Sequence, residues 1–195
     1  MFELIYPVEP APLIPGINAN NPGEQSEEGE FLPVIEQSGL VVGRVSRSYC
    51  HKDGRLLHPV VHLFIIDRMA RLYLQKRSME KSVMPGLWDC SAGGHVDYGE
   101  TLVEALMRES CEELKLTRFN PVYIGNYVYE SESENELVAI FAAVGSFVLT
   151  PAPEEISEGR YWSFAEVDKS MGKGVFTPEF EIEFRRIRAK LLSML

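Results

Sequence analysis

Apolar residues along this chain recur with two periods. From Phe31 to Leu149 they fall into short runs rich in Val, Ile, Phe and Tyr, punctuated by Gly, Pro, Asn and Asp, which predict β-strands. Phe31–Glu36 and Leu40–Val45 flank Gln37-Ser38-Gly39 as a hairpin. Val60–Ile66 and Leu72–Lys76 flank the turn Asp67–Arg71. Tyr123–Tyr129 and Leu137–Leu149 flank the polar turn Glu130–Glu136, and Arg160–Phe164 adds a short strand. Residues 78–87, with Pro85-Gly86, read as a loop. The period becomes helical over Leu102–Leu114, where Thr101 at the N-cap and Glu104 three residues on form a capping box. Ser46–Asp53 predicts one helical turn stopped by Gly54. Pro178–Leu195 predicts a helix with Thr177 as N-cap and Pro178 at its first position. Mixed strands with a few interspersed helices predict an α/β sandwich.

The first 30 residues break both periods. Pro7, Pro10, Pro12, Pro15 and Pro22 remove donors and fix φ, and the stretch ends in the polar run Gln25–Glu30. An extended arm is expected over 1–30, with a short strand at Phe2–Tyr6, and one domain over 31–195. The alternative for the arm is a strand exchanged with a partner subunit in a homodimer.

Composition narrows the function. The 19 Lys and Arg against 29 Asp and Glu leave a net charge of −10, which disfavours binding nucleic acid or an anionic membrane. Anionic substrates stay open, since metal ions reverse the local sign. Cys50, Cys90 and Cys111 have no C-x-x-C spacing, so neither a disulfide framework nor a zinc ribbon is expected. No apolar run reaches membrane-spanning length, and the proline-broken, acidic start is unlike a signal peptide. A cytoplasmic enzyme is the expectation.

The chemistry concentrates on the central helix. Glu109, Glu112 and Glu113 stand at i, i+3 and i+4, so they share one face and repel one another. Arg108 is a single counter-charge. Such a face is either a solvated acidic surface or the seat of a hard divalent cation, which takes oxygen ligands. Gly93 and Gly94, just upstream, let backbone approach a ligand closely. Glu100, at the mouth of the helix, is placed to pair with Arg108.

Together Gly94, Glu100, Arg108, Glu109, Glu112 and Glu113 read G-x5-E-x7-R-E-x-x-E-E, which resembles the signature of the Nudix hydrolases. The preceding Leu74-Gln75-Lys76-Arg77 and Pro85-Gly86-Leu87-Trp88-Asp89 resemble the family as well. Ser110 stands where the family usually has an aliphatic residue, and Lys115 where it has glycine. The resemblance implies a Nudix fold, an α/β/α sandwich with a mixed β-sheet. It implies Mg²⁺ or Mn²⁺ held by Glu109, Glu112, Glu113 and the Gly94 carbonyl. It further implies attack by a metal-activated water on a phosphorus of a small-molecule diphosphate, a nucleoside diphosphate derivative or related organic diphosphate. Glu112 is the candidate for taking the water's proton, Arg108 and Glu100 complete the catalytic set, and Arg77, Tyr127 and Tyr129 are the candidates for contacting substrate. For both tyrosines, packing against the sheet is an equal reading.

From about Leu57 to Ala143 the chain also resembles isopentenyl diphosphate isomerase, a Nudix-fold enzyme. The resemblance implies a second metal site at His51, His58, His95, Glu134 and Glu136, suited to Mn²⁺, Zn²⁺ or Mg²⁺. The isomerase's cysteine falls at Gly93, and its late F-[ST]-P-W motif reads Phe176-Thr177-Pro178-Glu179, so its thiol and its aromatic wall are missing. A hydrolase is therefore expected, with isomerase-type chemistry or a catalytically silent binding module as the alternatives. His62 shares a strand face with His58 and receives no role.

Overall fold

The structure is a computed structural model describing residues 1–14, 31–53, 56–131 and 134–195, the side chains of 51–53 excepted. The hairpin forms as expected from β1 (Phe31–Ile35) and β2 (Val41–Ser46), and α1 (Arg47–Asp53) follows it directly. The remaining strands are β3 (His58–Ile66), β4 (Arg71–Arg77), β5 (Trp88–Asp89), β6 (Ala92–His95), β7 (Val122–Glu130), β8 (Asn135–Val144) and β9 (Ile156–Ser163). The helices are α2 (Leu102–Leu114), α3 (Phe164–Ser170) and α4 (Pro178–Leu192). Strands β3 to β9 make one mixed sheet in the order β5-β4-β3-β8-β7, with β6 beside β3 and β9 beside β4.

The chain forms two compact units. The first comprises Met1–Val61, His95–Ala105 and Gly125–Ala139. Its core holds two clusters, one of Leu32, Val34, Val45 and Cys50 and one of Ile35, Val41, Leu137 and Ala11. Ala11 belongs to the N-terminal arm, which runs parallel to β2 through bridges at Ile5–Leu40 and Leu13–Arg44. The strand expected at Phe2–Tyr6 is thus reduced to the Ile5 bridge, and the expectations for 15–30 and for Gly54 lie outside the described residues.

The second unit comprises His62–Gly94, Leu106–Ile124 and Ile140–Leu195. Antiparallel register sets Trp88 and Glu158 beside Lys76, Arg160 beside Leu74, and Trp162 beside Leu72. Alternation then puts Trp88 and Trp162 on the same face as Leu72 and Leu74. There Trp162 meets Phe176, and Phe176, Phe180 and Phe184 continue as a run of ring contacts along α4. Gln75, on the opposite face, reaches α2. Within this unit the layering is therefore helix, sheet, helix.

Local signals explain the helix ends. Thr177 Oγ1 accepts the Phe180 N–H at 3.2 Å, with Pro178 at the first position. Thr177→Ala is expected to cost about 1 kcal/mol, read as a lower urea midpoint at unchanged slope. The α2 terminus departs from the glycine habit: Lys115 takes φ 55°, and the Leu116 N–H bonds back to the Ser110 carbonyl at 3.0 Å. That closing bond holds a lysine in a conformation that glycine adopts more easily. Ser110 is fully buried because its hydroxyl donates to the Leu106 carbonyl, so no aliphatic group is needed there.

Candidate functional site

The second unit contains Glu109, Glu112 and Glu113 of α2. Glu113 is buried, and its Oε2 accepts the Gln75 side-chain amide and the Gly93 N–H, both at 3.1 Å. Burial, reinforced by the neighbouring Glu109 charge, pushes its carboxyl up to about 7, against the opposing pull of the Gly93 N–H, Lys81 and Gln75. Arg108 Nη1 donates to Glu109 Oε1 at 2.7 Å and to Glu112 Oε2 at 3.4 Å, so one guanidinium answers two of the three charges. Glu112, with a side chain 59% exposed, is the carboxylate open to solvent. A Cβ at Gly94 would overlap the Glu109 carboxylate, so a side chain there would push that carboxylate out of its present place beside the backbone. Four sequence candidates, Gly94, Glu109, Glu112 and Glu113, thus belong to one unit with Arg108. Arg77 is there too, 3.6 Å from Asp89 and donating from Nε to the Val83 carbonyl.

Oxygen donors dominate this set, and a divalent cation fits it: three carboxylates at helical spacing are held beside a glycine backbone, two of them bonded to Arg108. Gln75, part of the Leu74–Arg77 run in the sequence but without a role there, joins this cluster through its bond to Glu113. Its signal was alternation, which puts it on the strand face opposite Leu74.

The first unit gathers His58, His95 and Glu136, with one ligand atom from each lying within 4.8 Å of the others. The two imidazoles stack at 5.3 Å with 14° between planes, and His58 Nε2 stands 3.8 Å from Glu136 Oε1. His58 is fixed from behind: its Nδ1 lies 3.0 Å from the Leu56 carbonyl and 3.1 Å from the Cys50 sulfur. With Nδ1–H donating to that carbonyl, Nε2 would be the nitrogen offered to a metal. Burial, then the charges of Glu134 and Glu136, push the Cys50 thiol up to about 12, so it stays neutral. Glu134 is buried nearby on the chain, its N–H bonded to Ser131 Oγ at 2.9 Å. The His51 side chain lies outside the described residues. Glu100 accepts the Asp97 N–H at 3.0 Å. Tyr127 is buried and Tyr129 partly exposed on β7.

His62, left without a role by the sequence, pairs through Nδ1 with Glu183 Oε1 of α4 at 2.7 Å, and Glu183 is fully buried. Nothing local signals this pair, because its members stand 121 residues apart.

Comparison with known proteins places the chain in a family. A family model described as NUDIX domain matches residues 56–180. A Nudix hydrolase of uncharacterised activity from Nostoc sp. is 38% identical over 87 residues, 45% of this chain and 52% of that protein, so the match spans about half its length. Isopentenyl-diphosphate Delta-isomerase from Streptomyces griseus is 26% identical over 175 residues, 87% of this chain and 89% of that enzyme. The crystal structure of a protein from Deinococcus radiodurans shares the fold with a TM-score of 0.71 at 23% identity, over 80% of this chain and 98% of its own.

Proposed function

Because the chain belongs to the NUDIX domain family, we propose that it hydrolyses a diphosphate linkage in a nucleoside diphosphate derivative or related organic diphosphate. The observation that carries this reading is the union of Gly94, Glu109, Glu112 and Glu113 within one unit, with Arg108 bridging two of the carboxylates. Glu109, Glu112, Glu113 and the Gly94 carbonyl would hold Mg²⁺ or Mn²⁺. That cation supplies charge neutralisation at phosphate oxygens and lowers the pKa of the attacking water. Arg108 holds Glu109 and Glu112 in place. Gln75 and the Gly93 N–H aim Glu113, and solvent-open Glu112 is the group that accepts the proton of the attacking water. Arg77 carries the positive charge that meets the substrate's phosphates, with Tyr127 and Tyr129 proposed for its organic part. The proposed domain division is an arm over 1–30 and a Nudix domain over 31–195. Phosphate or nucleotide release that needs Mg²⁺ or Mn²⁺ and stops with chelator tests the reading. Release insensitive to chelator would contradict it.

A second reading, isomerase-type chemistry, is favoured by one observation, the His58–His95–Glu136 cluster. Imidazole and carboxylate donors there suit Mn²⁺, Zn²⁺ or Mg²⁺. His58→Ala is expected to remove about one equivalent of metal from protein purified in the presence of Mn²⁺ or Zn²⁺, read by elemental analysis, while the Glu109–Glu113 site keeps its own. Equal metal content in variant and wild type would remove the second site. Hydrolysis is preferred because Gly93 and Glu179 stand where the isomerases carry a thiol and an indole. A silent binding module is the third reading, disfavoured because a binder has no need to hold repelling carboxylates together.

A further inference from the structure

The family match begins at residue 56, yet the arm far upstream touches the signature itself. The turn before α2 is closed by the Glu100 N–H to the Asp97 carbonyl at 3.0 Å, with Gly99 at φ 100°. Into this turn comes the Tyr6 hydroxyl. It accepts the Gly99 N–H at 3.0 Å and donates to the Glu100 carbonyl at 3.0 Å, so one side chain satisfies a donor and an acceptor of adjacent residues. The Tyr6 ring stands edge-on to Tyr98 at 5.6 Å, and the Tyr98 hydroxyl in turn accepts the Ala11 N–H at 2.8 Å. Arg44 lies 5.5 Å over the Tyr98 ring. Backbone bonds Ile5 N–H to Gly39 and Val41 N–H to Ile5, each 2.9 Å, fix the height of Tyr6 along β2. Every group in this chain of contacts belongs to the first unit.

We infer that Tyr6 is a positioning residue of the enzyme: its hydroxyl sets the turn that carries Glu100 and leads from His95 into α2. The inference rests on the reading of Glu100 and the α2 carboxylates as hydrolase machinery. The Glu100 carboxylate is turned back onto the Asp97 N–H at 3.0 Å, so its direction depends on the same turn that Tyr6 holds. Gly99 is exposed and flexible by nature, and without Tyr6 the turn has one fewer acceptor and one fewer donor to define it. The arm is on this account a working part of the catalytic domain, and its role lies within the chain's own unit.

The test is Tyr6→Phe in the full-length protein. It keeps the ring against Tyr98 and removes only the hydroxyl. Leu13→Ala, at an exposed arm side chain whose bridge to Arg44 is made by backbone, is the control. Three quantities are read: amide exchange at Gly99, Mn²⁺ affinity by paramagnetic resonance on metal-stripped protein, and kcat against KM on whichever panel substrate wild type cleaves. The expected result is Gly99 exchange faster by about tenfold or more, the loss of one hydrogen bond worth roughly 1 kcal/mol or above. With it come Mn²⁺ binding weakened several-fold, kcat down about tenfold at nearly unchanged KM, since small displacements of catalytic groups are costly, and no change in Leu13→Ala. Unchanged Gly99 exchange, or faster exchange with unchanged Mn²⁺ affinity and kcat, overturns the inference. Wild type that binds no Mn²⁺ overturns the underlying reading of the carboxylates instead, a result distinct from equal binding by wild type and variant.

Discussion

Glu113→Gln is expected to abolish metal-dependent turnover, by about a hundredfold or more, and at the same time to stabilise the metal-free protein. The first effect follows from removing a ligand charge: even supporting groups around a metal cost up to about a hundredfold when lost. The second follows from burial. Glu113 is held near 7 in the folded chain, above an ordinary carboxyl at 4.5, chiefly by desolvation and then by the charge of Glu109, with which it titrates as a pair. Folded protein therefore keeps a proton that the unfolded chain has released between those two values. Stability from this group is fully present below 4.5 and is lost as pH rises through about 7. The loss is on the order of 3 kcal/mol at alkaline pH in the absence of metal. Glutamine keeps both hydrogen bonds, since its carbonyl can accept from Gln75 and Gly93, and it never charges. Melting curves of metal-stripped wild type should fall between pH 5 and 8, those of Glu113→Gln should stay flatter, and added Mg²⁺ should raise only the wild type at pH 8. Parallel pH profiles of melting for both proteins would show that Glu113 is not the buried titrating group.

The largest loss of stability is expected from His62→Ala. Glu183 is fully buried on α4, and His62 bonds it at 2.7 Å. Removing one partner of a hydrogen-bonded buried pair costs about 3–5 kcal/mol, or roughly 10 °C in Tm for a chain of this size. His62→Phe combined with Glu183→Leu is expected to recover most of that loss, because buried pairs replaced by apolar groups of similar volume are often neutral. Urea unfolding of the single and double variants measures the coupling directly. A single variant within 1 kcal/mol of wild type would show that the pair contributes little.

The fold was legible where short-range chemistry decides it. The α2 helix begins and ends where periodicity and the Thr101–Glu104 box place it, with Thr101 Oγ1 accepting the Glu104 N–H and Glu104 accepting the Thr101 N–H. The α3 helix carried the same signal in Ser163-Phe164-Ala165-Glu166, and its capping box forms, so this helix was readable and overlooked. Strands β5 and β6, of 2 and 4 residues, were not readable, because segments this short become strands only through their neighbours. Strand β8 stops at Val144, ahead of the expected Leu149, because Gly145 turns the chain and Phe147 occupies the space a side chain there would need. Strand β9 begins earlier than its apolar pattern, at Ile156, since pairing with β4 recruits polar Ser157 and Glu158, and Gly159 makes room for the Tyr73 ring. The candidate site divides in the same way. Motif spacing exposed Glu109, Glu112 and Glu113 because helical geometry fixes i, i+3 and i+4. Gln75, the His62–Glu183 pair and Tyr6 act across 38, 121 and more than 90 residues, where no local rule reaches.

Among the described residues no helix is long and apolar enough to cross a membrane. The central claim, that the α2 carboxylates serve diphosphate hydrolysis, is tested most directly by one screen. Wild type and Glu113→Gln are incubated with Mg²⁺ or Mn²⁺ and nucleotide sugars, ADP-ribose, dinucleotides, nucleoside triphosphates, and isopentenyl and dimethylallyl diphosphates. Released phosphate and organic products are resolved by mass. The account predicts release from one of these classes by wild type, dependent on metal and lost in Glu113→Gln. Conversion of isopentenyl to dimethylallyl diphosphate with no release from any member of the panel would contradict it.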